Sequence, residues 1–105
     1  MRAVRTRQAP APGGHYSQAI VAGEAIYVAG SGPFDAARHA LVGGTIEAQT
    51  AQTLRNIDAI LRAAGAGLAD VVKVTVYLKR MSDFARMDAA YRRFFPGPPP
   101  ARTTV

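Results

Sequence analysis

The sequence predicts a single α+β domain, and three observations predict it: a strand hairpin pattern early in the chain, a central strand that is apolar on both sides, and two helical stripes of apolar residues. Length allows nothing larger. At 105 residues the chain can bury about two-thirds of its unfolded surface around one core and has no room for a second, so residues 1–105 are read as one domain.

Residues 1–15, rich in Ala, Pro, Gly and Arg, read as a flexible arm that ends in the turn Pro12-Gly13-Gly14. A hairpin follows, with Tyr16 to Val21, a turn at Ala22-Gly23-Glu24, and Ala25 to Gly30. Ser31 to Gly44 holds Pro33, three glycines and few periodic apolar positions, which marks a long surface loop of the kind that borders sites. Thr45 is placed to cap the first helix, Glu47 in its first turn suits the dipole, and Leu54, Ile57, Ile60, Leu61 and Ala64 make one stripe before Gly65 ends it.

Along Val71–Leu78 the alternation puts Val72, Val74, Val76 and Leu78 on one face and Val71, Thr75 and Tyr77 on the other. Two apolar faces need two covers. The helices can take one, and the second then calls for another subunit. The second helix runs from Ser82 or Asp83 to about Phe95, and Phe84, Met87, Tyr91 and Phe94 on it read as core rather than as a ligand box. The chain closes on Pro98-Pro99-Pro100-Ala101-Arg102-Thr103-Thr104-Val105. Proline fixes φ and Thr-Thr-Val favours extension, so Arg102 stands at the mouth of a strand, where its planar fork suits a carboxylate or phosphate.

Several chemistries are set aside. There is no cysteine, hence no disulfide, thiolate or zinc knuckle, and His15 and His39 have no acid or cysteine at metal-ligand spacing. No metal and no cofactor is expected. Ser17 and Ser31 lack a histidine–acid pair, and Gly13-Gly14 and Gly43-Gly44 do not follow a strand and open a helix as a phosphate loop would. No apolar run approaches the ~20 residues that span a bilayer, so no membrane partner and a cytoplasmic location are expected. The formal charge of +6 comes from 13 scattered bases, which suits loose attraction to anions better than a dedicated nucleic-acid surface.

Six segments stand in an order that resembles a known family: Gly14-His15-Tyr16-Ser17-Gln18-Ala19-Ile20, Ile26-Tyr27-Val28-Ala29-Gly30, Ile46-Glu47-Ala48-Gln49-Thr50, Asp70 to Leu78, Asp83 to Tyr91, and Pro100 to Val105. The chain resembles the RidA-like (YjgF-like) reactive intermediate deaminases from about Ala9 to Val105. The resemblance implies a chorismate-mutase-like fold, with a mixed sheet, two helices on one face, and a homotrimer whose sites lie in clefts between subunits. It also implies hydrolysis of 2-imino acids or enamines to 2-oxo acids and ammonia. Arg102 would hold the substrate carboxylate, Tyr16 would hydrogen-bond the substrate, Gly30 would let a backbone group approach it, and Thr104 and Asp88 complete the substrate-binding candidates. Bland alternatives stand beside these: an interfacial aromatic at Tyr16, turn chemistry at Gly30, an exposed helix acid at Asp88.

Three departures from the family pattern bear on turnover. Ala29 stands where a serine is usual and Asp88 where an asparagine is usual, and the family continues past the arginine strand to a strand bearing a glutamate. Loss of such a proton-transfer group costs about 10²- to 10⁴-fold, so slow hydrolysis is expected. Two other readings remain open: cleavage of single-stranded RNA with inhibition of translation, as relatives imply, and a non-catalytic trimer that binds small carboxylates.

Overall fold

The computed structural model describes all residues from Met1 to Val105. Three antiparallel strands form the first sheet in the order β1 (Arg2–Val4), β2 (Ala19–Ala22), β3 (Ala25–Val28). Gly23 makes the β2–β3 connection possible: it takes φ +59° at the first central position of a two-residue turn, a sign that only glycine adopts cheaply.

The segment 1–15, expected as a flexible arm, is instead docked on the sheet through β1 and Ala9. Arg2 pairs with Val21 and Val4 with Ala19, and Val4 and Ala9 are each only 3% exposed in a cluster with Ala19 and Ile60. One side chain explains the docking. The amide of Gln18 accepts from the Thr6 N–H at 2.8 Å and donates to the carbonyls of Thr6 at 3.1 Å and Pro10 at 2.9 Å. A segment without regular structure of its own thus has its backbone groups satisfied by one buried amide.

The long loop is likewise more ordered than its composition suggests. It contains a short ribbon of β4 (Phe34–Asp35) and β5 (Ala40–Leu41), turned by Asp35, whose carboxylate accepts from the Ala37 and Arg38 N–H groups at 2.9 Å. Asn56, 3% exposed, ties this loop to the helix beneath by donating to the carbonyls of Gly32 at 3.1 Å and Phe34 at 2.8 Å. Its own carbonyl is filled by Gln52 at 2.9 Å.

Helix α1 (Ile46–Ala63) starts as expected, with Thr45 Oγ1 accepting from the Ala48 N–H at 3.1 Å, and the chain leaves it through Gly65 at φ +88°. Its stripe serves two clusters. Ile60 meets the antiparallel sheet, while Leu54 meets Met87, Tyr91 and Phe95.

After a 3-10 turn at Leu68–Asp70 the chain enters β6 (Lys73–Val76), crosses over through a second such turn at Met81–Asp83 and α2 (Phe84–Arg92), and returns as β7 (Ala101–Thr104). The two strands are parallel, with Val74 opposite Arg102 and Val76 opposite Thr104. Antiparallel and parallel pairing thus both occur, shared among three hydrogen-bonded sets of strands. Val74, Val76 and Leu78 face the helices as expected, but Val71 and Val72 exchange roles. The turn into β6 rotates Val71 inward and leaves Val72 and Tyr77 each 81% exposed. Phe95 takes the buried place beside Tyr91, one turn further on past the last residue of α2, with Phe94 only partly buried.

Replacing Gln18 by Leu leaves the part-buried Thr6 and Pro10 backbone groups without their protein partner, and each hydrogen bond so lost costs about 0.5–1.5 kcal/mol. Urea unfolding should show a loss of that order, with faster amide exchange over residues 2–10. An unchanged midpoint would mean that the arm does not depend on the clip.

Candidate functional site

Strand β7 presents Arg102, and helix α2 presents Phe84, Asp88 and Tyr91, spaced i, i+4 and i+7 and therefore on one helical face. These four side chains meet. The Arg102 guanidinium carbon lies 4.6 Å from the Tyr91 ring centre and 5.3 Å from that of Phe84, and Nη1 donates to Asp88 Oδ1 at 2.8 Å. With its side chain only 18% exposed, the guanidinium is held by two aromatic rings and one carboxylate.

Only Nη1 is committed to a protein acceptor, so most of the fork's N–H groups are without a hydrogen-bond partner within the chain. The carboxylate is busier. Asp88 Oδ2 accepts from Arg92 Nη2 at 3.0 Å, so one side chain, 27% exposed, bridges two guanidinium groups. Hydrogen bonding from Arg102 first, and then from Arg92, holds the Asp88 carboxyl below its ordinary value. Its ion pairs are therefore intact at neutral pH and are lost only as acid carries the group down through that lowered pKa.

Burial pushes the Tyr91 phenol up, which keeps it neutral, and its hydroxyl oxygen is buried without a hydrogen-bond partner. Beside these residues opens a cleft of about 540 Å³, lined on its charged side by Arg102, Arg92 and Asp88 and elsewhere by Phe95, Pro99 and Pro100. The arrangement suits a small anion with an apolar tail: a fork for the charged end, aromatic and proline surface for the rest.

Of the candidates read from sequence, Arg102 and Asp88 are brought together. Tyr16 is exposed and its hydroxyl accepts from the Gly13 N–H at 3.1 Å, and neither it nor Gly30 lines the Arg102 cleft of its own chain. Open space surrounds the position a Gly30 side chain would fill, with the Ser31 hydroxyl donating nearby to the Ala29 carbonyl at 3.0 Å. Thr104 is half-buried opposite Val76, outside the cleft lining. The structure adds Phe84, Tyr91 and Arg92. The sequence signal for Phe84 and Tyr91 is an aromatic–acid–aromatic face on α2, a pattern that core packing also produces, and Arg92 joins it one turn after Asp88.

The family model described as Endoribonuclease L-PSP matches residues 6–105. A RutC family protein of Pyrococcus horikoshii is 52% identical over 100 residues, covering 95% of this chain and 79% of the relative. The 2-iminobutanoate/2-iminopropanoate deaminase of Dermatophagoides farinae is 36% identical over 104 residues, 99% of this chain and 81% of that protein. In three dimensions, the crystal structure of RidA from an Antarctic Psychrobacter superposes with a TM-score of 0.96 at 40% identity, over 100% of this chain and 85% of that one. With the family model matching residues 6–105 and the fold superposing over the whole of this chain, the chain belongs to the Endoribonuclease L-PSP family, the group that includes the RutC and RidA proteins.

Proposed function

We propose that this protein hydrolyses 2-imino acids to 2-oxo acids and ammonia, with Arg102 gripping the substrate carboxylate, and that a homotrimer completes the cleft. The observation that carries this reading is the largely uncommitted Arg102 fork at the edge of a cleft sized for a small molecule. The deaminase named among the relatives supports the reaction class.

The chemistry follows from the charge. A carboxylate beside an imine carbon repels the incoming lone pair of water; a guanidinium on that carboxylate offsets the repulsion and fixes the substrate's orientation. Water adds to the carbon, the C=N electron pair moves to nitrogen, and nitrogen takes a proton. The resulting carbinolamine then expels ammonia as its hydroxyl gives up a proton and the C=O forms.

Assembly is supported by what a single chain leaves open. Val72 and Tyr77, which flank β6 at its two ends, and Tyr27 on the antiparallel sheet are exposed. Tyr16 and Gly30, which the cleft of their own chain lacks, are the groups that a neighbouring copy would bring.

A second reading, cleavage of single-stranded RNA, is favoured by the family description and the net charge of +6. A third, carboxylate binding without turnover, is favoured by Ala29. Salt distinguishes the RNA reading. Binding through several phosphates should fall about 10³-fold or more between 50 and 200 mM salt, whereas a carboxylate held by a mostly buried arginine should weaken far less.

An imine generated in place by an amino-acid-consuming enzyme and trapped with semicarbazide gives the direct test. Added protein should divert flux from the trap, and Arg102→Lys should lower that diversion about tenfold or more, since a point charge cannot reproduce the fork. No diversion by the unsubstituted protein, with 2-oxobutanoate still raising its melting temperature, would leave the binding reading in its place. Light scattering should return the mass of three chains at micromolar concentration, and a stable folded monomer would exclude the trimer.

A further inference from the structure

The charges at the cleft do not cancel: Arg92 and Arg102 contribute two positive charges and Asp88 one negative, so a bound ligand meets a net charge of +1. Asp88 lies in direct contact with both cations, at 3.0 Å and 2.8 Å. Any group that approaches either guanidinium therefore also approaches this carboxylate. We infer that Asp88 makes the site selective for monoanionic 2-imino and 2-oxo acids and turns dicarboxylates away, and this rests on the reading of Arg102 as the carboxylate anchor.

A monocarboxylate on the free edge of the Arg102 fork brings the cleft to neutrality. A second carboxylate on the same small molecule would look to Arg92, the other cation lining the cleft, and would find it already paired with Asp88. It must then displace Asp88 or sit beside it, like charge against like charge. Neither partner is fully dry, since Asp88 is 27% exposed and Arg92 largely so. The discrimination is accordingly that of a partly solvated charge pair, about fivefold in affinity, and it shrinks as salt rises. The apolar portion of the lining, Phe95, Pro99 and Pro100, offers the tail of a monoanion a surface on which a second charge would gain nothing.

Succinamate and succinate are suitable probes because they match in shape and differ by one charge. Titration calorimetry on the full-length protein at low salt should show succinamate binding about fivefold tighter than succinate. Asp88→Asn, an isosteric change, should tighten both, and succinate more, so that the preference disappears or reverses. Adding Arg92→Gln to that variant should remove the extra gain for succinate alone. Equal affinity for the two probes in the unsubstituted protein, or an equal gain for both in Asp88→Asn, would overturn the inference. Arg102→Gln separates this from the underlying reading. If it leaves succinamate binding intact, or if succinamate does not bind the unsubstituted protein, the anchor itself falls and the inference with it.

Discussion

Parallel pairing of β6 with β7 is the constraint from which the site follows. Two parallel strands cannot be joined by a tight turn, so the chain between them has to travel the length of the pair and come back. Here that return is made by α2, and a helix that packs over the strands it connects must turn one face toward them. Met87 and Tyr91 anchor that face in the core, and Phe84 and Asp88 on the same side of the helix are carried to the position opposite Val74 where Arg102 leaves the sheet. The clamp is thus a by-product of topology as much as of side-chain choice: the register of one strand pair decides which residue the helix can reach.

The remainder of the fold is fastened by two buried amides. Gln18 secures a segment N-terminal to itself through both its donor and its acceptor side, and Asn56 secures a segment between the sheet and its own helix through its donor side while its acceptor is filled by Gln52 of the same helix. Such groups suit chain without a regular ladder, because one amide can serve several backbone groups at angles that no strand partner would allow. They also explain how a chain with few fully buried side chains holds two irregular stretches against its core.

Much of this was legible in the sequence, for reasons that differ from element to element. Thr45, Gly23 and Gly65 act locally, through a cap and two positive-φ turns, and local chemistry can be read without knowing what packs where. The Leu54–Ile60–Leu61 stripe and the inward set Val74, Val76 and Leu78 followed from periodicity. Gln18 and Asn56 were invisible because a buried polar residue has no periodic signature; its partners are set only once distant segments meet. The exchange of Val71 and Val72 arose where a 3-10 turn broke the alternation. At the site, the prolines and the β-prone tail pointed to Arg102, while Tyr91 looked like ordinary core, and it is core: the same ring that fills the α1–α2 interface offers its face to the guanidinium.

The proline segment at the edge of the cleft has a consequence for how the protein tells guests apart. Pro96, Pro99 and Pro100 line the opening together with Gly97, and a proline has neither a freely turning φ nor a flexible side chain. A wall made this way has little room to rearrange around an oversized guest, and little motional freedom to surrender when a well-fitting one arrives. Discrimination by size should therefore come from stiffness already present in the empty protein rather than from closure around the ligand, and it should persist on warming for as long as β7 keeps its hydrogen bonds to β6.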